Sequence, residues 1–131
     1  MRITADTNVL LRIITNDDPS QSARAEELLE SAEEVAIPLP VLCELAWVLR
    51  STYRYDRARI SASLRAVLGG RNVRAMRWTA EFGLDALDDG GDFADAIMAY
   101  DGAWLGGDVF ASFDEDAVTR LTRMGHPARV P

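Results

Sequence analysis

The sequence predicts an α/β fold, three layers deep, with a central parallel sheet of about five strands. Two observations carry this. Short β-branched runs alternate with longer helical stretches, and those stretches are too long to be hairpin turns. Strands separated by helices of ten or more residues are joined by crossovers, which make neighbouring strands parallel. The 131 residues suit one domain, since domains usually hold about 100–200. No repeat, low-complexity tract or linker interrupts them, so a single domain over residues 1–131 is expected.

Arg2–Ala5 reads as the first strand, followed by a short helix from Asn8 to about Ile14. Asp17-Asp18-Pro19 is a turn, and Ser20 is the expected N-cap of a helix through Leu29. Val35-Ala36-Ile37 is the second strand. Pro38 and Pro40 end it, Pro40 suiting the first turn of a helix that runs to about Tyr53. A helix from about Asp56 to Leu68 stops at Gly69-Gly70. Val73–Met76 is a weak third strand, and Thr79 is the expected cap of a helix ending near Asp88. After the turn Asp88-Asp89-Gly90-Gly91, Asp92 opens a helix reaching about Trp104. Val109–Phe113 is the fourth strand, Asp116–Met124 the next helix, and Ala128–Val130 the last strand.

Composition narrows the chemistry. With 48% apolar residues the chain can bury a real core. No apolar run approaches the ~18 residues needed to span a bilayer. Asp6 comes too early for a signal peptide, so a cytoplasmic protein is expected. The single Cys43 excludes an internal disulfide and a cysteine-based zinc site. There is no lysine; all fourteen basic residues are Arg, which excludes a Schiff-base or P-loop lysine. The one histidine, His126, reads as part of a turn near the chain's end. A net charge of −7 argues against a simple nucleic-acid-binding module, whose mark is a basic surface. Carboxylates that bind cations escape that objection: two divalent ions would bring the sum to −7 + 4 = −3.

What remains abundant is Asp and Glu. In an open parallel sheet, ligands sit beyond the carboxyl ends of the strands, where strand order reverses. Asp6 follows the first strand and Asp114 the fourth, so both reach one crevice if those strands are neighbours. Glu44 lies in Pro40-Val41-Leu42-Cys43-Glu44-Leu45-Ala46-Trp47-Val48-Leu49, which reads as a helix apolar on nearly every face. Such a helix is buried, and a buried carboxylate needs a partner: Arg50 or Arg12, or a metal in a crevice. Asp92 and Asp95 share one side of a helix start, where Asp92 as N-cap and Asp95 in the first turn would also suit a capping box. Apolar neighbours make Asp95 the less easily dismissed of the two. Asp116 could cap the helix after Asp114 or orient a water, and Ser112 could donate its hydroxyl to a neighbouring carboxylate. Carboxylates gathered in one crevice repel unless a cation joins them, and oxygen-only ligands select Mg²⁺ or Mn²⁺. Such ions bind phosphate oxygens and lower the pKa of water, which points to phosphodiester hydrolysis.

Ala5-Asp6-Thr7-Asn8-Val9-Leu10, the Glu44 helix, Asp92-Phe93-Ala94-Asp95-Ala96 and Ser112-Phe113-Asp114 resemble the successive acidic motifs of the PIN-domain family. More narrowly, the chain is similar to VapC-type toxins, ribonucleases neutralised by a cognate antitoxin. The likeness spans essentially the whole chain. By position it carries over Asp6, Glu44, Asp95 and Asp114 as the catalytic, metal-binding quartet. Asp92, Asp116, Ser112, Thr7 and Asn8 follow as accessory residues. It implies a sheet ordered 3-2-1-4-5, Mg²⁺ or Mn²⁺, endoribonuclease action on RNA, a homodimer and an antitoxin partner. Ser112 stands where the family commonly has Thr, which keeps the hydroxyl. Arg71, Arg74 and Arg77 form a local basic cluster that reads as a solvated edge.

Competing readings meet specific gaps. A response-regulator receiver needs a lysine that the chain lacks. A haloacid-dehalogenase-type phosphatase needs a second Asp where Asn8 stands. The alternative of a different class is a non-catalytic α/β interaction module whose acids are only caps and surface charge.

Overall fold

In the computed structural model, which describes residues 1–131, strands and helices alternate along the chain as expected. The strands are β1 (Arg2–Thr4), β2 (Glu34–Ala36), β3 (Val73–Arg74), β4 (Phe110–Ala111) and β5 (Ala128–Arg129). The helices are α1 (Thr7–Thr15), α2 (Pro19–Ser31), α3 (Leu39–Ser51), α4 (Arg57–Leu68), α5 (Arg77–Asp88), α6 (Phe93–Trp104) and α7 (Glu115–Arg123). They fall into two units, Met1–Met76 and Arg77–Pro131.

In the first unit β1, β2 and β3 form a parallel sheet ordered 3-2-1, with Ile3 opposite Val35 and Val35 opposite Val73. Beyond the strand end, the Ala5 amide still donates to the Ala36 carbonyl at 3.0 Å, which fixes where the chain leaves the sheet at Asp6. Leu10, Val35, Leu42, Leu45, Leu49 and Leu64 are fully buried and form the interior of this unit. The second unit has its own parallel pair, β4 with β5, in which Phe110 faces Ala128. Its core gathers Ala86, Ala96, Ala99 and Leu121, with Phe82, Phe110, Met124 and Ala128 packed against them. The expected strand sequence 3-2-1-4-5 is thus present as its two segments, 3-2-1 and 4-5.

Helix starts correct three expectations. The N-cap of α2 is Asp18, whose carboxylate accepts from the Gln21 amide, and not Ser20. Pro19 takes the first helical position, where its missing N–H costs nothing, and that pulls the start two residues forward. Thr79 does not cap α5; it lies inside the helix, 1% exposed, because the helix already begins at Arg77. Asp114, not Asp116, caps α7, and Asp116 sits in the first turn, where a negative charge suits the helix dipole.

The turn between α1 and α2 is held by a polar cluster. Asp17 accepts from the Tyr53 hydroxyl at 2.7 Å, the Thr15 hydroxyl at 3.0 Å and Arg12 Nη1 at 3.0 Å. The Tyr53 hydrogen bond first, then that of Thr15, hold the Asp17 carboxyl below the usual carboxylate range, and Arg12 adds to this. Asp17 in turn raises Arg12.

Candidate active site

In the first unit the parallel sheet delivers Asp6 to the start of α1. Its backbone is extended (φ −83°, ψ 158°), and Oδ1 accepts from the Thr7 amide at 2.8 Å. The cap fixes the orientation of the carboxylate and leaves Oδ2 outside it. Asp6 and Asn8 are exposed, whereas Thr7 is buried at 3% exposure and faces the interior. Glu44 requires a correction. Helix α3 is two-sided: Leu42, Leu45, Ala46 and Leu49 are buried, while Glu44 and Trp47 face solvent. The apolar run misled because Trp47, 67% exposed, lies on the open face. Neither Arg50 nor Arg12 pairs with Glu44, Arg12 being engaged with Asp17 and Gln21. Burial therefore does not mark Glu44 as functional; its candidacy rests on its place among the motifs.

The second unit brings two acids within electrostatic reach of a third, Asp95. Asp92 caps α6, its Oδ2 accepting from the Asp95 amide at 2.9 Å, as the capping-box alternative required. Asp95 sits in the first turn between Phe93 and Ala96, both buried, and is itself half-buried. Its carboxyl is pushed above the usual carboxylate range, first by burial and then by the charges of Asp92 and Asp114. Asp114 follows β4 and caps α7, Oδ1 accepting from the Ala117 amide at 3.1 Å. Ser112 acts the opposite way to expectation: its hydroxyl oxygen accepts from the Asp114 backbone amide at 3.0 Å, so it shapes the turn.

The donor chemistry fits a hard divalent cation, since every candidate offers carboxylate oxygens. The charges of Asp92 and Asp114 acting on Asp95 are what such a cation would offset. As they stand, however, no three His, Cys, Asp or Glu side chains are disposed to hold one. A hollow of about 560 Å³ in the first unit, lined mainly by apolar residues such as Leu10, Ile13, Ile14 and Val67, contains none of the candidate acids. A smaller hollow of about 450 Å³, lined by Asn8, Val9, Arg12, Gln21, Arg24, Ala25 and Leu28, was not anticipated. The Asn8–Arg12 spacing of four on one helix was its only sequence signal.

Comparison with known proteins places this arrangement. The PIN-domain family model matches residues 3–122. The chain belongs to the PIN-domain family. The match runs across both units and takes in every acid discussed above. Among solved structures, VapBC2 from Rickettsia felis bound to a DNA fragment from their promoter is 16% identical. That alignment covers 99% of this chain and 98% of the other, with a TM-score of 0.40. No match was found among curated proteins. His126 lies beyond the matched residues and packs its ring 5.9 Å from that of Phe82. No helix is long and apolar enough to cross a membrane.

Proposed function

We propose that this PIN domain is a metal-dependent endoribonuclease, the toxin of a toxin–antitoxin pair, and that residues 1–131 act as one nuclease domain. The observation that carries the reading is the half-buried Asp95, whose charge is disfavoured by burial and by two neighbouring carboxylates within a family motif. Acids whose charge is disfavoured by burial and by neighbouring charge are found at functional sites. Asp6, Glu44, Asp95 and Asp114 are the acids on which cleavage depends, with Asp92 and Asp116 accessory. When bound, Mg²⁺ or Mn²⁺ would be held by carboxylates of this set, where it supplies Lewis acidity to phosphate oxygens and lowers the pKa of water.

The chain's own residues supply orientation. Asp6 and Asp114 each commit one oxygen to a helix N–H and keep the other pointing away from the cap. Asp92 fixes the first turn of α6 through the Asp95 amide, which sets the height of the Asp95 carboxyl on the helix. Thr7 anchors the start of α1 in the interior, and Ser112 holds the turn that presents Asp114.

Association belongs to the same reading. Trp47, Trp78 and Trp104 are 67%, 82% and 74% exposed, large apolar side chains that a partner would cover. This supports a homodimer that binds a separate antitoxin protein. The test is incubation of purified, antitoxin-free protein with total cellular RNA. The expected result is cleavage with Mn²⁺, none in excess EDTA, and none from Asp95→Asn with Mn²⁺. Robust cleavage in EDTA, or full activity in Asp95→Asn, contradicts the proposal. A protein with no cleavage and no specific Mn²⁺ effect is the interaction module instead.

A further inference from the structure

The hollow between α1 and α2 has a floor of Val9, Ala25 and Leu28 and a rim of Asn8, Gln21 and two guanidinium groups, in a chain whose net charge is −7. Arg12 is held in it by two contacts: Nε donates to Gln21 Oε1 at 2.6 Å and Nη1 to Asp17 at 3.0 Å. With its oxygen turned to Arg12, Gln21 keeps its amide N–H₂ for another acceptor. Arg24, one turn further along α2, is exposed and takes part in none of the structure's ion pairs. Glu26, Glu27 and Glu30 line a separate hollow. Asn8, exposed on the first turn of α1, completes the lining and lies two residues from Asp6. At 1.5 Å rise per residue, Arg12 is about 9 Å along the α1 axis from Asp6, under two turns away.

Resting on the ribonuclease reading, we propose that this hollow is a backbone-phosphate subsite for single-stranded RNA. Arg24 contacts a non-bridging phosphate oxygen, and the Asn8 and Gln21 amides complete the contact. Arg12, half-neutralised by Asp17, is a positioning residue that fixes Gln21. A phosphate is favoured over a partner's carboxylate because Asn8 of the subsite lies two residues from Asp6, the N-cap of α1, so one strand can meet both. The acidic chain thereby gains a local cationic track without a basic surface.

The probe is a short fluorescein-labelled single-stranded RNA of mixed sequence. Its binding is followed by anisotropy over a salt series, in the Asp6→Asn background so that it is not cut. Arg24→Ala is expected to weaken binding several-fold and to reduce the slope of log affinity against log salt by about 0.7, the value of one single-strand phosphate contact. Arg24→Lys should retain most of the slope. In the active protein, Arg24→Ala should raise KM more than it lowers kcat. Unchanged affinity and slope in Arg24→Ala overturn the subsite, even where the wild type cuts RNA. Arg24-dependent binding by a protein that does not cut supports the subsite and removes the nuclease reading. RNA binding unchanged, with loss of binding to a protein expressed from the adjacent gene, reassigns the hollow to that partner and also overturns it.

Discussion

Asp95 and Asp17 are perturbed in opposite directions, and the two should respond to pH with opposite signs. The pKa of Asp95 is raised on folding, so its charge penalises the folded state at neutral pH. That penalty fades as pH falls through the raised value towards the ordinary 3.8, below which folded and unfolded chains are both protonated. Metal-free Asp95→Asn should therefore be at least as stable as wild type at neutral pH, with the margin closing in acid. Thermal melts at both pH values check this, and a variant that melts lower at neutral pH would make Asp95 a structural group. The pKa of Asp17 is depressed, so its contribution is present above 3.8 and is lost as pH falls through the depressed value. Tyr53→Phe removes the largest cause and should destabilise the protein at neutral pH but much less in acid. Urea titrations at the two pH values read the difference. Asp6, Asp95 and Asp114 were legible in the sequence because each sits where an element begins. Glu44 was reached by a burial argument that the exposed Trp47 undoes, since sequence alone does not show which apolar residue faces water. The Arg12–Asp17–Tyr53 cluster was illegible because Tyr53 lies 36 residues from Asp17.

At the scale of elements, the place of Asp95 depends on how α6 packs on α5. The contact is close at Gly83, where a Cβ would come 2.7 Å from Ile97 Cδ1 and from the Phe93 ring. Gly83→Ala gains about 1 kcal/mol of helix propensity, while overpacking a tight core costs about 1–3 kcal/mol. The ring of Phe93, 2% exposed, has little room to yield, so the clash should win. A lower melting temperature for Gly83→Ala, with reduced cleavage from a displaced Asp95, is the expected outcome. A more stable and fully active variant would show that α5 and α6 separate freely there. All seven helices and five strands were readable from alternating patterns, because hydrophobic period is a local property. The starts at Asp56 and Asp92 were readable too, whereas two others were not, since Asp18-Pro19 overrode Ser20 and the buried side of α5 claimed Thr79.

For the whole molecule, charge and association are the levers. A chain of −7 whose carboxylates take up a divalent cation should be stabilised by Mn²⁺, by about 2.7 kcal/mol at a hundred times Kd for one site. Asp6→Asn can keep the helix cap, because Asn caps as well as Asp. It should nevertheless lose most of the metal gain in a thermal melt, and an intact gain would reduce Asp6 to a cap. Light scattering at micromolar concentration should report a dimer, and a strict monomer would remove the role given to the exposed tryptophans. The central claim is hydrolysis by water with a divalent cation, and the ends of the products decide it. A defined RNA cut by the wild-type protein with Mn²⁺ should yield, by mass spectrometry, fragments with 5′-phosphate and 3′-hydroxyl ends. Fragments ending in 2′,3′-cyclic phosphate, formed equally well in EDTA, would mean that the RNA's own 2′-hydroxyl is the nucleophile, and would contradict it.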